Sequence, residues 1–321
     1  MGVNFLIIAL FAAALGTEEP VKTKAEGNTN AAAVEQDAVT LEYYKILQKD
    51  EEALQKIEKI MQEYEAFEEK GAAGPRGAMF AKIDGMVEEV KKAYDDFLRR
   101  NPKHVEGYLA YGSFLNELGD EEGATVKWEK AREIDPKNPS AWNNLANIFG
   151  HIGPIKKAFQ YYEKAIELDP KEPVYLQNLA TTTYLFRKDA AETYRIDEET
   201  VFNKALDLYR QAMQLDPTNI VLATDYAQSY YGIRPLRTND AIAAWEHCLT
   251  LAKSDVEKQG IYLHLARVEL NSGKFEEAQK HLDLVKDPAM NDLRRGCRRI
   301  SIGKGRASQK KASQRRNPKR R

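Results

Sequence analysis

The chain has 321 residues, 43% hydrophobic and 30% charged, which is enough apolar material to bury a core and excludes a globally disordered polymer. Two cysteines and five histidines, none of them clustered, exclude a disulfide framework, zinc ribbons and iron–sulfur clusters, so stability must come from packing. The formal charge of -1 hides an asymmetry: residues 294–321 carry 13 Lys or Arg and no acid, leaving 35 basic against 49 acidic residues, net -14, for residues 1–293.

The chain opens with an apolar run of 11 residues, Phe5 to Leu15, too short to span a bilayer and closed by the small residues Ala14-Leu15-Gly16. It reads as a signal peptide over residues 1–16, so the protein is expected to be exported, periplasmic or secreted, with no membrane span once the signal is removed. An uncleaved signal would instead leave it tethered to a membrane. Residues 17–39 turn to Thr, Glu, Lys, Asn and Ala without periodicity and read as a disordered linker. Residues 40–104 read as a helical N-terminal cap. Its long apolar pattern (Leu41, Tyr44, Leu47, Leu54, Ile57, Met61, Tyr64, Phe67) is followed by a turn at Gly71 to Gly77 and by Val90, Tyr94, Phe97 and Pro102. The long stripe approximates heptads interrupted by Asp50, a pattern compatible with self-association.

From residue 105 the chain repeats itself at an offset of 34 residues: Tyr108, Tyr111, Gly112, Leu115, Ala124, Trp128, Ala131 and Pro136 map onto Trp142, Leu145, Ala146, Phe149, Ala158, Tyr162, Ala165 and Pro170. Each block reads as two short amphipathic helices. The small residues let helices approach closely, and the aromatic rings fill the space left between pairs. Gly119-Asp120 turns the chain between helices, and Asp135-Pro136 and Asp169-Pro170 end the second helix. The copies then vary. Residues 173–219 contain 13 extra residues, Arg187 to Glu199, readable as a partner-binding loop or as two lengthened helices with Asp197 capping the second. Residues 220–258 and 259–292 carry Ala223, Tyr226, Ala227, Ala241, Trp245 and Cys248, then Tyr262, Leu265, Ala266, Ala278, Leu282 and Val285. Residues 293–302 suggest a capping helix, and residues 303–321 a basic, disordered tail able to bind anionic surfaces or nucleic acid.

These blocks, 105–138 and 139–172 above all, resemble the tetratricopeptide repeat family, whose Trp, Leu, Gly, Tyr, then Ala, Phe, then Pro spacing they match at most positions. The resemblance implies an all-α solenoid, a right-handed stack of antiparallel helix pairs. It also implies a non-catalytic scaffold that takes an extended segment of another protein in a groove lined by the first helices. The outward positions of those helices are Ser140, Asn143, Asn147, Gln177, Thr181, Tyr184, Gln228, Tyr231 and Arg267. Side-chain amides such as Asn143 and Asn147, four apart, can pair both the N–H and the C=O of an extended backbone. Some family members hold a terminal carboxylate with Lys, Asn and Arg. Here an Asn matches (Asn144 or Asn178), but Leu109, Ser113, Val174 and Asn178 stand where its basic and amide partners would be, and without cations that clamp is not expected. No phosphate loop, Gly-x-Ser-x-Gly turn, metal spacing or carboxylate pair stands out. Neither catalysis, cofactor nor metal is expected. Two rival functions remain: binding of nucleic acid or an anionic surface through the tail, and homo-oligomerisation through the long N-terminal helix.

Overall fold

The computed structural model describes residues 31–70 and 75–297, with side chains from residue 37 onward. The stretch read as a signal peptide, the start of the expected linker, the second half of the expected capping helix and the basic tail lie outside the described residues. Within them the chain is all-α, and no strand occurs. The helices are α1 (Ala31–Glu69), α2 (Arg76–Arg100), α3 (Val105–Glu117), α4 (Glu121–Ile134), α5 (Pro139–Ile152), α6 (Ile155–Leu168), α7 (Pro173–Leu185), α8 (Arg187–Tyr194), α9 (Glu198–Leu215), α10 (Ile220–Ser229), α11 (Thr238–Leu251), α12 (Asp255–Ser272) and α13 (Phe275–Leu284). Short 3-10 turns sit at Tyr230–Gly232 and Pro288–Met290. No described helix is long and apolar enough to cross a membrane. The chain divides into two compact units, residues 1–152 and 153–321, at the junction of α5 and α6.

The first unit joins a long hairpin to repeat-sized helices. At 39 residues, α1 is about 58 Å long, whereas α3 has 13 residues. It begins at Ala31, so the last nine residues of the stretch expected to be a linker are helical instead. Ile46, Ala53 and Ile57 of α1 are buried, as are Val90, Tyr94 and Phe97 of α2. Tyr94 stacks on Tyr111 of α3 with ring centroids 4.8 Å apart. Asp50, which breaks the heptad stripe, is buried too: the Tyr94 hydroxyl donates to its Oδ2 at 2.6 Å. Burial pushes the Asp50 carboxyl up to about 6 against the opposing pull of that hydrogen bond.

The α3–α4 pair shows why the repeat needs its residue sizes. Trp128 lies 3% exposed, and its Nε1 donates to the Leu109 carbonyl at 3.0 Å. Its ring occupies the space over Gly112, where an added Cβ would stand 2.8 Å from Trp128 Cε2. A side chain there is excluded by close packing. The turn is built as expected: Gly119 takes φ +81°, and Asp120 Oδ1 accepts from the Gly123 N–H at 2.9 Å, capping α4.

In the second unit α7 packs on α9, α10 on α11, α11 on α12 and α12 on α13. Short turns make the pairs α11–α12 and α12–α13 antiparallel, whereas α8 stands between α7 and α9 in the chain. Phe202, Leu206, Ala223, Ala227, Ala241, Trp245, Cys248, Ile261 and Leu265 form one apolar core, and Ala266, Leu270, Ala278, Leu282 and Val285 belong to a second. Cys248, in the small-residue register, is fully buried, and burial pushes its thiol up to about 12. The insertion is neither an open loop nor a simple lengthening of its neighbours. It forms a separate helix, α8, closed by Arg195 in the left-handed region (φ 55°), before Asp197 caps α9 through the Thr200 N–H at 2.8 Å. Burial of Ala190 and the contact of Tyr194 with Phe159, centroids 5.5 Å apart, hold α8 down. Beyond Met290 the chain is helical again from Asn291 through Cys297, which takes in the first half of residues 293–302, the expected capping helix.

Candidate functional site

The outward positions of the first helices divide into groups that the sequence treated alike. In the first unit, Ser140 and Asn147 of α5 are half-buried, while Asn143 is only 5% exposed. The Asn143 Nδ2 donates to Asn144 Oδ1 at 3.4 Å. Asn143 therefore faces the packing, not solvent, and the expected pair of ligand-facing amides is not formed by Asn143 and Asn147 together. Helical spacing puts the two on one face, but Ala141 and Leu145 beside Asn143 are fully buried and carry it inward.

In the second unit most of the polar positions bridge neighbouring helices. Gln177 Nε2 on α7 donates to Asp225 Oδ2 on α10 at 2.8 Å. Burial raises the Asp225 carboxyl above its ordinary value, and the Gln177 bond opposes the shift. The hydroxyls of Thr181 on α7 and Tyr209 on α9 share a hydrogen bond of 2.8 Å. Tyr184 packs beside Phe202, centroids 6.0 Å apart, and its hydroxyl end fills the space over Gly232. These groups hold helices together, and their hydrogen-bonding capacity is largely spent inside the fold.

The end of α10 and the middle of α12 build a different arrangement. Tyr231, in the 3-10 turn that continues α10, shares a hydrogen bond of 2.9 Å with Nδ1 of His264 on α12. The His264 ring lies flat on Trp245 of α11, with centroids 4.1 Å apart and planes 8° from parallel. Burial, with the neighbouring Arg267 charge, pushes His264 down to about 4, so the ring is neutral at pH 7. One turn along α12, the Arg267 guanidinium sits over the Tyr231 ring at 4.5 Å. Arg267 itself is exposed, as is Gln228, three residues before Tyr231. A buried aromatic stack thus fixes a tyrosine, and the tyrosine carries an exposed cation beside an exposed amide.

The sequence reading picked out Tyr231, Arg267 and Gln228 from their register. His264 and Trp245, which support that tyrosine, do not stand out in the sequence. Neither stands near the other in the chain, and only alignment of the copies could have set the two helices side by side. Among the described residues no group of three or more His, Cys, Asp or Glu side chains is placed to hold a metal ion.

Comparison with known proteins bears on the fold. Residues 139–172 match the tetratricopeptide repeat profile. The chain carries a tetratricopeptide repeat. A search of curated protein sequences finds no match. Among solved structures, TTC0263, a thermophilic tetratricopeptide protein of Thermus thermophilus, is similar at 20% identity, covering 62% of this chain and 99% of that one with a TM-score of 0.45. YrrB, described as a tetratricopeptide protein with an unusual peptide-binding site, is similar at 15% identity over 64% of this chain and 98% of its own, TM-score 0.48. PilW, a type IV pilus biogenesis factor, is similar at 14% identity over 65% of this chain and 88% of its own, TM-score 0.49.

Proposed function

We propose that this protein is a non-catalytic scaffold that binds an extended segment of another protein along the first helices of its repeats. The observation that carries this reading is exposed Gln228 and Arg267 flanking a half-buried Tyr231 that is held by the Trp245–His264 stack. An exposed amide supplies the donor and acceptor that an extended backbone requires, and the aromatic ring supplies apolar contact area at low entropic cost. The tetratricopeptide repeat at 139–172 supports the same reading, since such repeats serve as protein-binding scaffolds. Site-specific photo-crosslinking tests it. A crosslinker in place of Gln228 should capture a discrete protein partner from the native host, and one in place of Glu246, exposed on the second helix α11, should not. Equal capture from both positions would overturn the reading.

The reading places the chain outside the cytoplasm, on the strength of the apolar run Phe5 to Leu15. N-terminal sequencing of the mature protein should then begin near Thr17, and an intact Met1 on soluble cytoplasmic protein would refute export.

A second reading, self-association through the long hairpin, rests on a specific observation. Leu41, Tyr44 and Phe67 of α1 and Phe80 of α2 are all more than half exposed, in a pair of helices too narrow to cover them. Sedimentation of the full chain and of Phe67→Glu decides it: a dimer lost on substitution supports the reading, and a monomer in both cases removes it.

A further inference from the structure

Around Tyr231 the second unit presents a cation that the fold itself does not use. Arg187 pairs with Glu198, Arg210 with Asp207 and Arg237 with Glu199, each a surface pair of the ordinary kind. Arg267 differs. Among the described residues it forms no ion pair, and its guanidinium lies 4.5 Å from the centroid of the Tyr231 ring, with His264 and Cys297 within reach of its charge. Stacking on a ring locks the plane of a guanidinium while leaving its N–H edge in solvent, which is the geometry that a carboxylate meets with two parallel hydrogen bonds. The ring is itself immobilised from below, by the 2.9 Å bond to His264 and by the His264–Trp245 stack, so the fork is set in position before any ligand arrives. The neutral state of His264 adds no second positive charge beneath it.

We infer that Arg267, stacked on Tyr231, receives the carboxylate of a Glu or Asp side chain within the extended segment of a protein partner. This rests on the scaffold reading and names the chemistry of the segment it binds. One observation favours a side chain over a chain terminus. Exposed Gln228 stands three residues from Tyr231, where it can pair with backbone continuing past the acidic residue, and a terminus has no such continuation. The body of the protein is strongly acidic, net -14 over residues 1–293, so its overall field repels an acidic segment. Selection of such a segment therefore requires a local cation, and Arg267 is placed to supply it.

The test uses the full chain and the blocked peptide Ac-Ala-Ala-Glu-Ala-Ala-NH2, with its Gln counterpart and an unblocked Gln peptide ending in a free carboxylate. Binding is followed by the NMR signals of the Arg267 Nε–H, the Gln228 amide and the Tyr231 ring. The Glu peptide should shift all three and saturate at about a tenfold lower concentration than its Gln counterpart, the ratio that one charge-assisted hydrogen-bond pair confers. Arg267→Gln should erase that ratio without altering the melting temperature, because the side chain is exposed. Arg267→Lys should lose most of it, because an ammonium lacks the planar fork. Equal binding of the Glu and Gln peptides overturns the assignment of Arg267 while leaving the peptide-binding face intact. Preference for the free-carboxylate peptide overturns the choice of a side chain. No shift at Gln228, Tyr231 or Arg267 with any peptide overturns both this inference and the scaffold reading.

Discussion

Each unit contains a glycine pressed against an aromatic side chain, and the two pairs are unlike in everything but distance. A Cβ on Gly112 would meet Trp128 Cε2 at 2.8 Å, and one on Gly232 would meet Tyr184 Cζ at 3.0 Å. Trp128 is buried and latched to the Leu109 carbonyl, so it has nowhere to go. Tyr184 is half-buried, and the atoms in the way are the far end of a side chain that can turn toward solvent. Close approach alone does not set the cost of a substitution. The freedom of the neighbour does.

The largest expected effect tests the rigid member of the pair. Gly112→Ala should destabilise the first unit by about 3 kcal/mol, because the methyl group must displace the Trp128 ring and break its bond to the Leu109 carbonyl. Chemical denaturation followed by Trp fluorescence measures it, and a loss under about 1 kcal/mol would mean that Trp128 is not held as the structure has it.

This pair was legible in the sequence, as were the helix pairs themselves. Gly112 and Trp128 fall on the 34-residue offset, and a small residue facing a large one is a pattern that periodicity exposes. The candidate site was legible only in outline. Register named Tyr231, Arg267 and Gln228, but burial of Asn143 depends on how its neighbours turn the helix, and the Trp245–His264 stack depends on contact between helices, across 19 residues of chain. The α8 helix escaped for another reason. Its eight residues, Arg187–Tyr194, are too few for an apolar period to declare itself, and Ala190 is its only buried side chain.

The units should also respond to acid in opposite senses. His264 has its folded value lowered to about 4 from an ordinary 6.5, so the stability tied to its neutral ring is present above pH 6.5 and is lost as the pH falls toward 4. The loss amounts to roughly 3 kcal/mol at most. Asp50 has its folded value raised to about 6 from 3.8. Its contribution runs the other way, present below about pH 4 and lost as the pH rises through 6. Amide exchange measured separately on α12 and on α1 should therefore show α12 loosening between pH 6.5 and pH 4.5 in the wild type but not in His264→Gln relative to its own baseline. Asp50→Asn keeps an acceptor for the Tyr94 hydroxyl and removes the buried charge. It should stabilise α1 by about 1 kcal/mol at pH 8, allowing for the partial solvation of the carboxyl, and leave it unchanged at pH 4. Identical pH responses in the two helices would break the contrast.

The smallest expected effect belongs to the yielding member of the glycine pair and reaches the candidate site. Gly232 directly follows Tyr231, and its space is filled by the hydroxyl end of Tyr184, so Gly232→Ala must push that ring aside. Tyr184 can turn outward at the expense of part of its contact with Phe202, a change worth about 1 kcal/mol or less. The backbone does not resist, because Gly232 is not among the positive-φ glycines Gly119, Gly153 and Gly273. Denaturation should register little, while the Tyr184 ring signals should move toward solvent-exposed values and the Tyr231–His264 bond should persist, since His264 is held from its other face by Trp245. A loss as large as that for Gly112→Ala would show that Tyr184 is as fixed as Trp128. The first-helix face would then be a rigid wall from α7 to α12, not a fixed Tyr231 beside a movable neighbour.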